Sequence, residues 1–158
     1  MNDTAPRPLG GSLAASPRLT CLLEQLGRMP GLVIAPGGGP FADAVRLAQE
    51  THGFDDAAAH DMALLAMAQF GRMLAALAGF RAVWSAAGLA AELVPGHPRA
   101  PLVWLPDPAT DAVDVERSWR VTGDSLALWL AHRIGARRLV LLKSCPVSTL
   151  DPQALAME

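Results

Sequence analysis

Apolar residues recur along this chain in two alternating rhythms, and the alternation predicts its elements. Ser16-Pro17 supplies an N-cap and first-turn pair for a helix running to about Met29, with Leu19, Leu22, Leu23 and Leu26 on one face. Pro30-Gly31 breaks it. A short β-branched run, Leu32–Ala35, reads as a strand and stops at Gly37-Gly38-Gly39. A helix then runs from Phe41 to about Thr51, closed by His52-Gly53. Asp55 or Asp56 caps a long helix to about Ala78, where Met62, Leu65, Met67, Phe70, Met73, Leu74 and Leu77 make a broad apolar stripe, read as core or subunit interface. A short element at Phe80–Trp84 and a helix at Ser85–Leu93 follow. Pro101–Leu105 reads as a buried strand ended by Pro106-Asp107-Pro108. Beyond a polar loop at 107–118, a helix at Leu126–Ile134 ends at Gly135, and Arg138–Leu142 reads as the last strand.

Short buried strands alternating with helices predict an α/β fold with a mostly parallel sheet covered on both faces. Ligands of such sheets bind beyond the carboxyl ends of the strands. The three glycines, the Asp107 turn and Lys143 all follow strand ends and are expected on one rim. Asp124 precedes a strand through its helix, so the topology alone does not place it there.

Composition narrows the class. With 158 residues, half of them apolar, the chain is expected to form one domain with a sizeable core, residues 1–8 being loose. A net charge of −2 gives no electrostatic case for nucleic acid or an acidic membrane surface. Cys21 and Cys145 form no framework, no apolar run approaches the ~20 residues of a membrane span, and the first residues lack a signal pattern. A soluble, cytoplasmic protein is expected. Of thirteen basic residues only Lys143 is a lysine, which suggests a compact ammonium is wanted there.

The glycine triplet is the main chemical signal. Residues without a Cβ let a ligand touch the main chain, and the helix behind them points unsatisfied N–H groups and a positive dipole end at the same spot. That suits a phosphate or carboxylate; a tight turn that binds nothing is the alternative. The four histidines, His52, His60, His97 and His132, show no metal pattern and read as structural or surface groups. Trp119 and Trp129 read as packing groups, with Trp119 also placed to wall a heteroaromatic substrate. Asp107 reads as a turn carboxylate.

Four features stand in order: Gly10-Gly11-Ser12, Gly37-Gly38-Gly39, Thr122-Gly123-Asp124-Ser125 before a helix, and Leu141-Leu142-Lys143-Ser144. The ordered set resembles the amino acid kinase superfamily. The texts PGGGPFADAVR (Pro36–Arg46), DMALLAMAQF (Asp61–Phe70) and SWRVTGDSLALWL (Ser118–Leu130) are similar to its aminomethylfuran-methanol phosphate kinase branch and the bacterial methylotroph relatives. The resemblance implies an α/β/α sandwich that transfers the γ-phosphoryl group of ATP, with Mg²⁺, to a small phosphate monoester. It places the chain in methanofuran-type cofactor synthesis or one-carbon metabolism, as a homo-oligomer. It assigns Gly10, Gly11 and Ser12 to the nucleotide phosphates and Gly37, Gly38 and Gly39 to the acceptor and the group in flight. Asp124 would organise the catalytic lysine and metal-bound phosphates, and Lys143 would act at the nucleotide-side strand end. No residue is expected to bind metal directly, save Asp124 through Mg-ATP.

Two positions depart from the pattern. The family carries a lysine two residues before the first glycine pair, where this chain has Pro8 with Arg7 beside it, and Pro6 and Pro8 weaken the first strand. Relatives also continue well past the strand carrying Lys143, so the nucleotide-binding part is expected to be truncated. A catalytically impaired nucleotide- or anion-binding oligomer of the same fold therefore stands beside the kinase. A dinucleotide-binding oxidoreductase does not fit, since no G-x-G-x-x-G occurs.

Overall fold

A computed structural model describes residues 14–93 and 100–142. Within them three parallel strands carry helices on both faces, as the alternating pattern predicts. Strand β1 is Val33–Ile34, β2 is Arg81–Trp84 and β3 is Leu102–Leu105. They lie in the order β1-β3-β2, with Val33 beside Leu102 and Trp84 beside Leu105. The central strand is the most apolar and the most buried: Val103, Trp104 and Leu105 are fully enclosed. Their alternation divides the core. Val103 and Leu105 pack with Ala68 and Ala75 of helix α3 (Asp56–Ala78). Trp104 packs with Leu89 of α4 (Ala86–Glu92) and with Leu126 and Leu130 of α5 (Gly123–Arg133).

The element ends follow local chemistry. Helix α1 covers Leu19–Leu26, shorter than the expected Ser16–Met29, because Ser16 organises the preceding turn by accepting from the Arg18 N–H at 3.2 Å. Asp55 caps α3 by accepting from the Ala58 N–H at 2.8 Å, and Gly79 closes it at φ +67°. Ser85 caps α4 by accepting from the Gly88 N–H at 3.1 Å. Helix α2 spans Gly39–His52 and starts two residues before the expected Phe41. Helix α5 starts three residues before the expected Leu126, since Thr122 and not a later residue caps it.

Three expectations fail. The run Arg138–Leu142 forms no strand: Val140 is 67% exposed and no described strand offers the run a ladder. Apolarity alone does not make a strand without a neighbour to satisfy its backbone. The apolar stripe of α3 is also set differently, since Met62, Leu65 and Leu77 are exposed while Leu64, Met67, Phe70, Gly71 and Leu74 face inward. Apolar residues surround most of this helix, so its periodicity does not single out one face. By length and composition α3 also meets the requirement for a membrane span, contrary to the expectation from apolar runs. Its inner face packs on the sheet.

Gly71 fixes how α3 sits. A Cβ there would lie 2.9 Å from Leu105 Cδ2, 3.0 Å from Pro36 Cγ and 3.1 Å from the Trp104 carbonyl oxygen. The helix therefore meets the carboxyl rim of the sheet at Gly71, and residues 56–70, about 22 Å of helix at 1.5 Å per residue, lie on the amino-terminal side of that contact. Helix α2 runs antiparallel beside them, with Gly39 against Phe70 near the rim and Gln49 Nε2 donating to Asp56 Oδ1 at 2.9 Å near the tip. Gly71→Ala is expected to destabilise the fold by about 1–3 kcal/mol through overpacking. Urea unfolding measures it, and an unchanged midpoint would show that α3 slides freely over the rim.

Candidate functional site

The glycine turn leaves β1 at the rim and becomes the start of α2. Each glycine meets a different demand. A Cβ on Gly38 would lie 2.3 Å from Ala42 Cβ. Gly39 takes φ +55°, in the left-handed region that a side chain disfavours, and a Cβ there would press on Phe70 at 3.2 Å. Packing thus accounts for two of the three. Gly37 is the one that approaches α5: a Cβ on Gly123 would sit 3.7 Å from the Gly37 Cα.

That approach joins two of the predicted features. Gly37 leads into α2 and Gly123 opens α5, so the approach brings two helix starts, each with a positive dipole end, near one rim position. Thr122 caps α5, its Oγ1 accepting from the Ser125 N–H at 3.3 Å and lying 3.1 Å from the Ser125 hydroxyl. Asp124 stands in the first turn, half-buried, and is not the cap. Two helix starts favour an anion, while a carboxylate in the same turn opposes one unless a cation lies between them. Gly10, Gly11, Ser12 and Lys143 lie outside the described residues.

A carboxylate that the sequence reading overlooked organises the other rim strands. Asp111 is 3% exposed, and its Oδ1 accepts from the Ala86 N–H at 2.9 Å. Its Oδ2 accepts from Trp104 Nε1 at 3.0 Å and from the Asp107 N–H at 3.1 Å. These bonds tie the exits of β2 and β3 to the core, and leave Ser85 at φ 61° between them. Asp107 is the expected turn carboxylate, its Oδ1 accepting from the Ala109 N–H at 3.0 Å. Trp129 packs on Trp104 with ring centres 6.2 Å apart and donates to Asp114 Oδ1 at 2.8 Å, as a packing residue should. His60 is buried on α3, while His52 and His132 are exposed. His97 lies outside the described residues. Among the described residues no three His, Cys, Asp or Glu side chains converge as a metal cage.

Trp119 is held against the projecting hairpin. Its Nε1 donates to Gln49 Oε1 at 2.6 Å, and the Arg46 guanidinium lies 4.3 Å from its ring centre. An open concavity of about 520 Å³ lies at the opposite end of the sheet, lined among others by Leu23, Glu24, Arg28, Phe80 and Pro101. It borders the amino ends of the strands, whereas parallel sheets bind ligands beyond the carboxyl ends. The glycine turn is therefore the better candidate.

No protein-family model matches the chain. The chain is 28% identical over 137 residues to the [5-(aminomethyl)furan-3-yl]methyl phosphate kinase of Methanocaldococcus jannaschii. The match covers 84% of this chain and 62% of that kinase, so the chain spans less than two thirds of its relative's length.

Proposed function

We propose that this chain takes part in ATP-dependent phosphoryl transfer to a small phosphate monoester, on an amino acid kinase fold, in the making of a methanofuran-type cofactor. The observation that carries the reading is the meeting of the α2 and α5 amino ends at Gly37 and Gly123, with Asp124 in the first turn. Distant similarity to a phosphate kinase supports it. In the proposed step an anionic oxygen of the monoester attacks the γ-phosphorus of ATP. The bond from that phosphorus to the bridging oxygen breaks, ADP leaves, and the acceptor becomes a diphosphate. The attacking oxygen is already ionised, so the step calls for positioning and charge neutralisation and not for a general base.

The glycine turn would hold the acceptor phosphate on main-chain N–H groups. Gly10, Gly11, Ser12 and Lys143 would hold the nucleotide. Asp124, in the first turn of α5, would stand beside Mg²⁺ arriving with ATP, as the resemblance implies. Mg²⁺ neutralises phosphate charge when bound.

The test is direct. Purified protein incubated with Mg-ATP and [5-(aminomethyl)furan-3-yl]methyl phosphate is expected to yield ADP and a diphosphate ester, read by phosphorus NMR. Pro8 in place of the family's lysine favours a second reading, a binding protein that has lost turnover. Calorimetry separates the two: ATP binding without turnover, unrescued by Pro8→Lys, sinks the kinase reading.

A further inference from the structure

The wall above the glycine turn carries a cation that the site roles so far leave unused. Arg46 lies two turns along α2 from Gly39, and helical side chains lean toward the amino end. Its Nη1 does so, reaching to 3.7 Å from Asp43 Oδ1. That contact draws the guanidinium toward the Gly39 end of α2 from its own Cα. The contact with Asp43 is long, and both side chains are substantially exposed (40% and 50%), so it leaves most of the charge available. Arg117, by contrast, is in close contact with Asp61.

The plate beneath Arg46 is fixed. Gln49 accepts from the Trp119 indole through Oε1, and its Nε2 donates to Asp56 Oδ1 at 2.9 Å and to the Phe54 carbonyl at 3.1 Å. These bonds leave the amide one orientation. Trp119 belongs to a strap, residues 117–123, that descends the hairpin wall. At the top Arg117 donates to the Ala57 carbonyl at 3.2 Å, and at the bottom Gly123 meets Gly37. Arg46 thus lies against the strap at Trp119. A guanidinium held over an aromatic ring can still offer N–H groups to a phosphate beside the ring.

We propose that Arg46, held on Trp119, is the acceptor-side cation, binding the anionic group of a small organic phosphate monoester above the glycine turn. Trp119 is its positioning residue. The proposal rests on the glycine turn being the acceptor side.

Calorimetry with [5-(aminomethyl)furan-3-yl]methyl phosphate, and separately with Mg-ATP, tests it without requiring turnover. Arg46→Gln is expected to weaken monoester binding by about 10- to 100-fold, the value of a charge-assisted hydrogen bond pair, and to leave ATP binding unchanged. Arg46→Lys should recover only part, lacking the two-pronged guanidinium. Trp119→Phe keeps a ring but loses the bond to Gln49, and should fall between. Where turnover is seen, Trp119→Phe should raise the monoester KM more than it lowers kcat. Arg72→Gln, at an exposed site on α3, controls for loss of a positive charge and should bind as wild type. Wild-type monoester binding that fails to turn over would overturn the kinase reading while still supporting Arg46, provided Arg46→Gln weakens it. The Arg46 proposal fails if Arg46→Gln binds the monoester normally, if it loses monoester and ATP alike, or if the wild type binds no monoester.

Discussion

Replacing Asp124 by asparagine is expected to slow phosphoryl transfer from ATP by about 100-fold or more, with little change in stability. The separation of the two effects follows from the cap. Thr122 accepts from the Ser125 N–H and so holds the end of α5, while Asp124 sits inside the first turn. A first-turn carboxylate favours its helix by about 0.3–1 kcal/mol through the dipole, a contribution that asparagine forfeits. What asparagine cannot supply is the negative charge that a cation between two phosphates requires. The reverse pattern is expected for Thr122→Ala, which removes the cap at about 1 kcal/mol but leaves the charge in place. Steady-state rates at saturating Mg-ATP, beside thermal melts of both variants, read the two effects apart. Lys143→Ala is expected to match Asp124→Asn in rate, as the proposed nucleotide-side cation. A wild-type rate in Asp124→Asn would move the chemistry away from α5 altogether.

The parts of this fold that were legible in the sequence are those decided within a few residues. Asp55, Ser85, Gly53 and Gly79 begin or end their helices by bonds spanning three or four positions, and their helices appear where expected. The glycine triplet misled by two residues. It reads as a loop because glycine disfavours helix interiors, yet Gly39 occupies a first helical position at φ +55° that other residues would resist. Its glycines also proved less specific as a ligand signal than their number suggests, since Ala42 and Phe70 account for two of them. The site signal moved to the contact of Gly37 with Gly123, across 86 positions of chain, which no local pattern encodes. Gly71 and Asp111 were invisible for the same reason: their partners, Leu105 and Ala86, are set by how α3 and α4 lie on the sheet. Arg138–Leu142 shows the converse, a strand-like text without a strand beside it among the described residues.

Asp111→Asn offers the sharpest contrast with Asp124→Asn, because the same exchange of a carboxylate for an amide is expected to unfold the protein more readily there. The Asp111 carboxylate faces three donors: the Ala86 and Asp107 amides and the Trp104 indole. A carboxylate accepts through both oxygens, whereas asparagine must turn an NH₂ toward at least one of these N–H groups. One buried donor then loses its acceptor and faces another donor, and the remaining bonds lose their charge assistance. About 3 kcal/mol is the expected loss, with Asp111→Ala costing more, since all three donors are then abandoned at a site closed to water. For a chain of this size that corresponds to a fall of about 6–12 °C in Tm. The damage should spread along the exits of β2 and β3, where Ser85 is held at φ 61° between the Leu105 carbonyl and the start of α4. Hydrogen exchange should therefore quicken at Ser85, Ala86 and Asp107 before it does in α2. If Asp111→Asn melts within a degree of wild type, the rim is held together by the sheet alone, and the carboxylate is free for another task.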